Sequence, residues 1–371
     1  MIRPAGGRAD GKPGMIQAMR AMVRRTTLTT AVLAAFWAGD LATGPAAASD
    51  LAKDLFGAEK LPSAAAPQSF GFYSKGCFGG GVGLPLTGPT WEVMRPSRNR
   101  NWGHPAMIAL LEKFSRDAVA DGWPGLLVGD ISQPRGGPMR TGHASHQIGL
   151  DADIWFSPMP STPYSLAGRE KIGARSLLEP GTTHVLDDRR WDPVYARILK
   201  RAASYPEVER IFVNPAIKKK LCETVAGDRT WMNKIRPFWG HDEHFHVRIG
   251  CQPGSPGCKP QQSTGRGDGC DKSLAWWFTD EPWRPAKGPA KPRARDIMTM
   301  ASLPQACRAV LDAPSPASAE AATFHGGSVP VAAAASAEVV PVPDADAPFA
   351  ANAFAETPKI GVPLPRPRPG S

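Results

Sequence analysis

Two short stretches carry five of the chain's eight histidines, and in both of them polar and apolar residues alternate. One, GHASHQIGLDADIW, holds His143, His146, Asp151 and Asp153; the other, GHDEHFHVR, holds His241, His244 and His246. Successive side chains of a strand point to opposite faces. A strand from Leu150 to Phe156 therefore puts Leu150, Ala152 and Ile154 on one face and Asp151 and Asp153 on the other. A second strand, His244 to Ile249, offers Phe245, Val247 and Ile249 to a core and carries His244, His246 and Arg248 on its reverse. Any fold of this chain has to cover two apolar strand faces while leaving room for imidazoles and carboxylates opposite them.

If the two polar faces converge, two imidazoles and one carboxylate can hold a divalent metal through nitrogen and oxygen, the ligand composition of hydrolytic zinc sites. The set that fits is His146, Asp153 and His246, with a further position open for water. His244, two residues from His246, stands close to such an ion without binding it and can serve as general base or stabilise an oxyanion. Asp151 reads as a carboxylate behind the ligands or as a turn stabiliser. A single His-x-His or His-x-x-His would more often be a solvated polar edge; the two clusters together, with an aspartate on the same strand face, point to metal. His104 reads as a helix-start residue and His325 as part of a tail. His184, ahead of Asp187 and Asp188, reads as a solvated charge cluster in a loop rather than a second, weak metal site.

Periodicity supplies the remaining elements. His104-Pro105 opens an amphipathic run with Met107, Leu110, Leu111, Phe114 and Val119 on one stripe, a helix with proline in its first turn. Val194 to Ala203 and Pro215 to Leu221 read as two more helices, and Leu126 to Ile131 and Arg210 to Val213 as strands. The class is α+β, a small, mainly antiparallel sheet with helices and long loops. With 38 Gly and 39 Pro in 371 residues, about a fifth of the chain against a usual ~12%, an all-helical bundle is excluded.

Arg20, Arg24 and Arg25 precede the uncharged stretch Thr26 to Gly39, which leads to the small residues Ala46-Ala47-Ala48-Ser49. That order is a secretory signal peptide over residues 1–48; the apolar part is shorter than the ~20 residues that span a bilayer, which argues against an uncleaved anchor. Residues 49–69 then read as an extension, 70–311 as the globular domain, and 312–371, rich in Ala and Pro, as a disordered tail that buries too little to offset chain entropy. In an exported chain the six cysteines, Cys77, Cys222, Cys251, Cys258, Cys270 and Cys307, imply three disulfides. Their pairing is open, although Cys251 and Cys258 flank a turn-rich Gln-Pro-Gly-Ser-Pro-Gly; a thiolate zinc cluster would need close Cys-x-x-Cys pairs, which the sequence lacks. The net charge of +10 does not identify a partner, and no basic run with interleaved aromatics supports nucleic acid.

The stretches GCFGGGVGLP, RNRNWGHP, GGPMRTGHASHQIGLDADIW, RIFVNPAIKKKLC, WMNKIRPFWGHDEHFHVRIGC, SPGCKP and GDGC resemble the penicillin-insensitive murein endopeptidases, of the lysostaphin, D-Ala-D-Ala-peptidase and hedgehog group of zinc proteins. The resemblance spans nearly all of residues 70–311. It implies the fold of that group, His146, Asp153 and His246 as ligands of one zinc ion, and His244 as the unligated catalytic histidine. His143 and His241 match further active-site histidines, and His143 is considered as an additional ligand. The resemblance also implies the pairs Cys77–Cys307, Cys222–Cys270 and Cys251–Cys258. The stretch between Asp153 and Trp191 matches poorly, so no auxiliary metal residues carry over there, and a second ion is left open.

The implied activity is a periplasmic zinc endopeptidase that cuts the D-alanyl–meso-diaminopimelyl cross-links of peptidoglycan, with cross-link peptides as its partners, no nucleic acid, no stable membrane span, and a homodimer left open. Two rivals from other classes are a non-catalytic, zinc-stabilised cell-wall binding module, which has no need of His244, and a two-metal phosphoesterase, which needs more convergent carboxylates than the sequence offers.

Overall fold

The computed structural model describes residues 51–285 and 287–326. The leader expected over residues 1–48 lies outside them. In chain order the strands are β1 (Gln68–Phe72), β2 (Lys75–Gly79), β3 (Val82–Gly83), β4 (Trp91–Val93), β5 (Trp102–Gly103), β6 (Leu126–Val128), β7 (Asp151–Pro158), β8 (Val208–Val213), β9 (Ile235–Pro237) and β10 (His244–Ile249). The α-helices are α1 (Ala52–Ala58), α2 (Pro105–Ala120), α3 (Leu166–Lys171), α4 (Val194–Ser204), α5 (Pro215–Thr224), α6 (Lys272–Ala275), α7 (Ala294–Ile297) and α8 (Ala306–Asp312).

The central sheet has the order β4-β6-β7-β10-β8-β9. Its inner pairs, β6–β7, β7–β10 and β10–β8, are antiparallel, and β4–β6 and β8–β9 at the two edges are parallel. This is the expected α+β class with a mainly antiparallel sheet. The apolar alternation places Ala152, Ile154 and Phe156 of β7 and Phe245, Val247 and Ile249 of β10 in one core with Phe114 of α2 and Ile198, Leu199 and Ala202 of α4. Full burial of side chains such as Phe245 or Ile154 contributes about 1.5–3 kcal/mol each, so the apolar side of the sheet anchors the polar side.

Helix α2 starts where proline at its first position and a capping His104 predict: His104 Nδ1 accepts from the Ala106 amide at 3.2 Å. Helix α5 repeats the device with Asn214, whose Oδ1 accepts from the Ala216 amide at 2.9 Å ahead of Pro215. The expected stripe of α2 needs one correction: Val119 is exposed and Ala118 is buried instead, because a 3.6-residue turn after Phe114 ends at 118. The strand expected over Leu126 to Ile131 stops at Val128; beyond it the chain turns toward the polar side of the sheet.

Both ends of the domain extend further than the sequence suggests. The Ala52 amide donates to Met298 O at 2.8 Å, and α1 packs Phe56 into a second apolar cluster with Cys77, Met298, Leu303 and Cys307. Past Asp312, Thr323 bridges to Gly83 and Phe324 is buried in the main core, so the segment up to Gly326 is part of the fold rather than of a tail. The three disulfides are Cys77–Cys307, Cys222–Cys270 and Cys251–Cys258, the pairs the resemblance implied. No described helix is long and apolar enough to cross a membrane.

Candidate metal centre

Strands β7 and β10 lie side by side with His246 opposite Asp153 and Arg248 opposite Asp151. Opposite residues of an antiparallel pair share a face, so the two sequence clusters meet at their polar sides. His146 reaches the same place from the loop before β7. Its backbone is left-handed, with φ 66°, and Gly149 follows at φ 72°. A Cβ at Gly149 would stand 2.8 Å from the His104 amide nitrogen, so only glycine fits this return. The strained His146 is held from both sides: its amide donates to Asp151 Oδ2 at 2.9 Å and its carbonyl accepts from Ser132 Oγ at 2.5 Å. Unlike an ordinary polar sheet face, this one is closed to water, for His146, Asp151, Asp153 and His246 are all buried.

His146 Nε2 lies 3.1 Å from His246 Nδ1 and 3.4 Å from Asp153 Oδ1, and His246 Nδ1 lies 3.1 Å from the same oxygen. The other nitrogen of each ring fixes its tautomer. His146 Nδ1 is 2.6 Å from the carbonyl of Ile131, which can only accept, so the neutral ring carries its proton on Nδ1 and turns the lone pair of Nε2 inward. His246 Nε2 is 3.0 Å from Asp151 Oδ1; the approach is too bent for a full hydrogen bond, but the carboxylate still draws the proton to that nitrogen. Asp153 Oδ1 is buried and receives no well-aligned hydrogen bond from any described residue. Three lone pairs thus face one another away from water, an arrangement that costs several kcal/mol unless a cation sits among them. Zinc with ligand distances of 2.0–2.1 Å has a tetrahedral edge of about 3.3 Å, which the triangle matches. The donor set fits a divalent metal.

Behind the triangle, Asp151 receives Arg248 Nε at 2.7 Å and Nη2 at 3.1 Å. Burial would raise the Asp151 carboxyl, but Arg248, then His246, hold it well below the carboxylate range. Burial acts the same way on Asp153, and the imidazoles of His244, His146 and His143 overcome it. His146 shows the converse balance: burial lowers it, while Asp153 and Asp151 more than compensate and leave it raised.

Two further histidines stand at the rim. His244 Nε2 is 3.5 Å from Asp153 Oδ2 and its side chain is 24% exposed, where that of His246 is 4%. Burial, outweighing Asp153, lowers its pKa, so it is neutral near pH 7. His241, also left-handed at φ 56°, has Nδ1 2.8 Å from Trp239 O and its ring 5.0 Å from that of His244. Burial, then His244 and His246, depress it well below the usual value. His143 brings Nδ1 to 3.4 Å from Asp153 Oδ2, and His143, His146 and Asp153 each offer a ligand atom within 4.8 Å of the others'.

Sequence reasoning overlooked Asp130. A strand over Leu126 to Ile131 gives it no special part, yet its carboxylate is buried against His143 Nε2 at 2.9 Å, Arg100 at 2.8 Å and Arg98 at 3.2 Å. A charged residue at the end of the apolar run Leu-Leu-Val-Gly was the available signal. His184 is not part of the centre: its ring stacks on Trp283 at 4.7 Å, Asp187 pairs with Arg189 and Arg190, and Asp188 pairs with Lys220.

A family model described as penicillin-insensitive murein endopeptidase matches residues 69–312. Among curated proteins, the penicillin-insensitive murein endopeptidase of Haemophilus influenzae is 42% identical over 245 residues, 66% of this chain and 82% of that protein. The protein of the same description from Klebsiella pneumoniae subsp. pneumoniae is 39% identical over 251 residues, 68% of this chain and 88% of its own. That from Salmonella newport gives the same identity and coverage.

Proposed function

The chain belongs to the penicillin-insensitive murein endopeptidase family, and from that membership we propose that it is an exported zinc endopeptidase of the periplasm, cutting the D-alanyl–meso-diaminopimelyl cross-links of peptidoglycan. The observation that carries the reading is the buried triangle of lone pairs on His146 Nε2, His246 Nδ1 and Asp153 Oδ1. These three residues would hold the metal, which when bound polarises the scissile carbonyl and supplies a nucleophile from water near neutral pH.

The chain's own groups account for the rest. His244 is near enough to the triangle to meet a reacting water, open enough to meet substrate, and neutral before the reaction; it takes up the proton and returns it to the leaving amine. Once protonated it stabilises the negative charge that develops on the carbonyl oxygen. His241 has its proton fixed on Nδ1 by Trp239 O, so Nε2 is left as an acceptor for substrate at the rim. Asp151 keeps His246 in the required tautomer. No serine nucleophile takes part, so β-lactams do not acylate the enzyme.

The decisive experiment incubates the mature protein with purified sacculi, with and without chelator and β-lactam, and identifies the released fragments by mass. Cleavage of the cross-link that survives the β-lactam and stops with the chelator is expected. In parallel, His244→Ala should keep the metal and lose cleavage by about 10²–10⁴-fold. Full cleavage by that variant removes His244 from the mechanism, and a metal-loaded wild type that releases no fragments favours the non-catalytic wall-binding module.

A further inference from the structure

Asp130, Ile131 and Ser132, which follow β6 after Gly129, hold two of the three residues of the triangle, Asp153 and His146. Asp130 O accepts the amide of Asp153 at 3.0 Å, Ile131 O takes the Nδ1 proton of His146, and Ser132 Oγ holds the carbonyl of His146. The Asp130 side chain serves His143. Its Oδ2 lies 2.9 Å from His143 Nε2, and a carboxylate that only accepts requires that nitrogen to carry the proton. The lone pair of His143 then sits on Nδ1, on the side of Asp153 Oδ2 and of the His146 ring, whose centroid is 4.2 Å away.

Asp130 is itself fixed. Arg100 Nη1 and Arg98 Nη1 hold Oδ2 at 2.8 and 3.2 Å. Arg100 also donates at 3.0 Å to both Thr141 O and Thr141 Oγ1, on the loop that carries His143. One guanidinium therefore sets the position of the carboxylate and of the loop together.

We infer that Asp130, backed by Arg98 and Arg100, is a positioning residue that turns His143 inward and makes its Nδ1 a fourth protein donor to the metal centre. The inference rests on the metal reading above. With that donor in place a water would be the fifth ligand, a coordination number that zinc in catalytic sites can reach. Outer carboxylates of this kind orient a ligating histidine and raise its basicity, and their loss costs 10–100-fold in metal affinity.

The test compares wild type, Asp130→Ala, His143→Ala and the double variant, with Asp130→Asn as a shape-preserving substitute should the alanine fail to fold. Cobalt(II) is the probe, read by its visible absorption and by titration. Nitrogen NMR of the imidazoles in the metal-free proteins reports the tautomers. Expected are a His143 proton on Nε2 in wild type, loss of that preference without the carboxylate, a 10–100-fold weaker cobalt affinity with a shifted spectrum in each single variant, and a double variant no worse than the singles. Unchanged affinity and spectrum in Asp130→Ala or Asp130→Asn overturns the inference, as does a full multiplicative loss in the double variant. A wild type that binds no cobalt overturns the metal reading itself, an outcome distinct from both.

Discussion

Asp151 shows how much a single carboxylate can be asked to do in a buried site. It meets the His146 amide, the His246 ring and the Arg248 guanidinium with two oxygens, while no part of it is open to water. Replacing it by Asn keeps the shape but removes the charge that answers Arg248. Breaking one side of a buried pair costs about 3–5 kcal/mol, and loss of the partner behind a ligating histidine weakens metal about 10–100-fold. Asp151→Asn should therefore lower both the urea midpoint and the metal affinity; a variant with wild-type values in both would reduce Asp151 to a bystander. The alternating pattern of the sequence indicated the face this residue lies on, and kinship indicated its neighbourhood. Its bond to Arg248 was not readable, because opposite charges on two strands pair only if the register brings them level.

The helices were the most readable elements. Proline and a cap residue mark the starts of α2 and α5, and those signals are local, satisfied within one turn of the chain. The cap of α2 carries a pH dependence. Burial lowers the His104 pKa to about 4 from an unfolded value near 6.5. Between those values the unfolded chain binds the proton more readily, so stability present above pH 6.5 is lost as pH falls toward 4, by about 3 kcal/mol in all, and no further below it. His104→Asn retains a capping oxygen and should remove that part of the acid sensitivity. Denaturant melts at pH 7 and pH 4.5 check it: an equal acid loss in variant and wild type would exclude His104 as the source. The strands were less readable at their ends. β6 ends at Val128, where its pairing with β7 has slipped in register, although Gly129 and Asp130 still bond to the backbone of Asp153 in that strand, and such a slip depends on a partner distant in the chain.

Across the domain, the disulfides rank by the chain they enclose. Cys77–Cys307 closes a separation of 230 residues, Cys222–Cys270 one of 48, and Cys251–Cys258 one of 7. By loop-closure entropy the paired Cys→Ser variants should be destabilised by about 5, 4 and 2 kcal/mol respectively; guanidinium midpoints in any other order would show that local packing outweighs entropy. Cys77–Cys307 also joins the first hairpin to α8, and Arg135 strengthens that seam by donating to the carbonyls of Val310, Leu311 and Ala313. The composition of the segment after Asp312 suggested no such anchoring, since it is held by a few contacts with distant parts of the chain: buried Ala322 and Phe324, the Phe324 amide on Gly83 O, and Pro314 O accepting from Ala64. Residue order was sufficient to establish what period and local chemistry can express: two strands with polar backs, helices with their starts, six cysteines suited to three bridges, and the histidines and aspartate that suit a metal. Only folding could settle which atoms face inward. The tautomers of His146 and His246, the left-handed turn at His146 and the part played by Asp130 all depend on partners distant in sequence, and a hydrogen bond or lone pair gains its direction only when the backbone has brought its partner within reach.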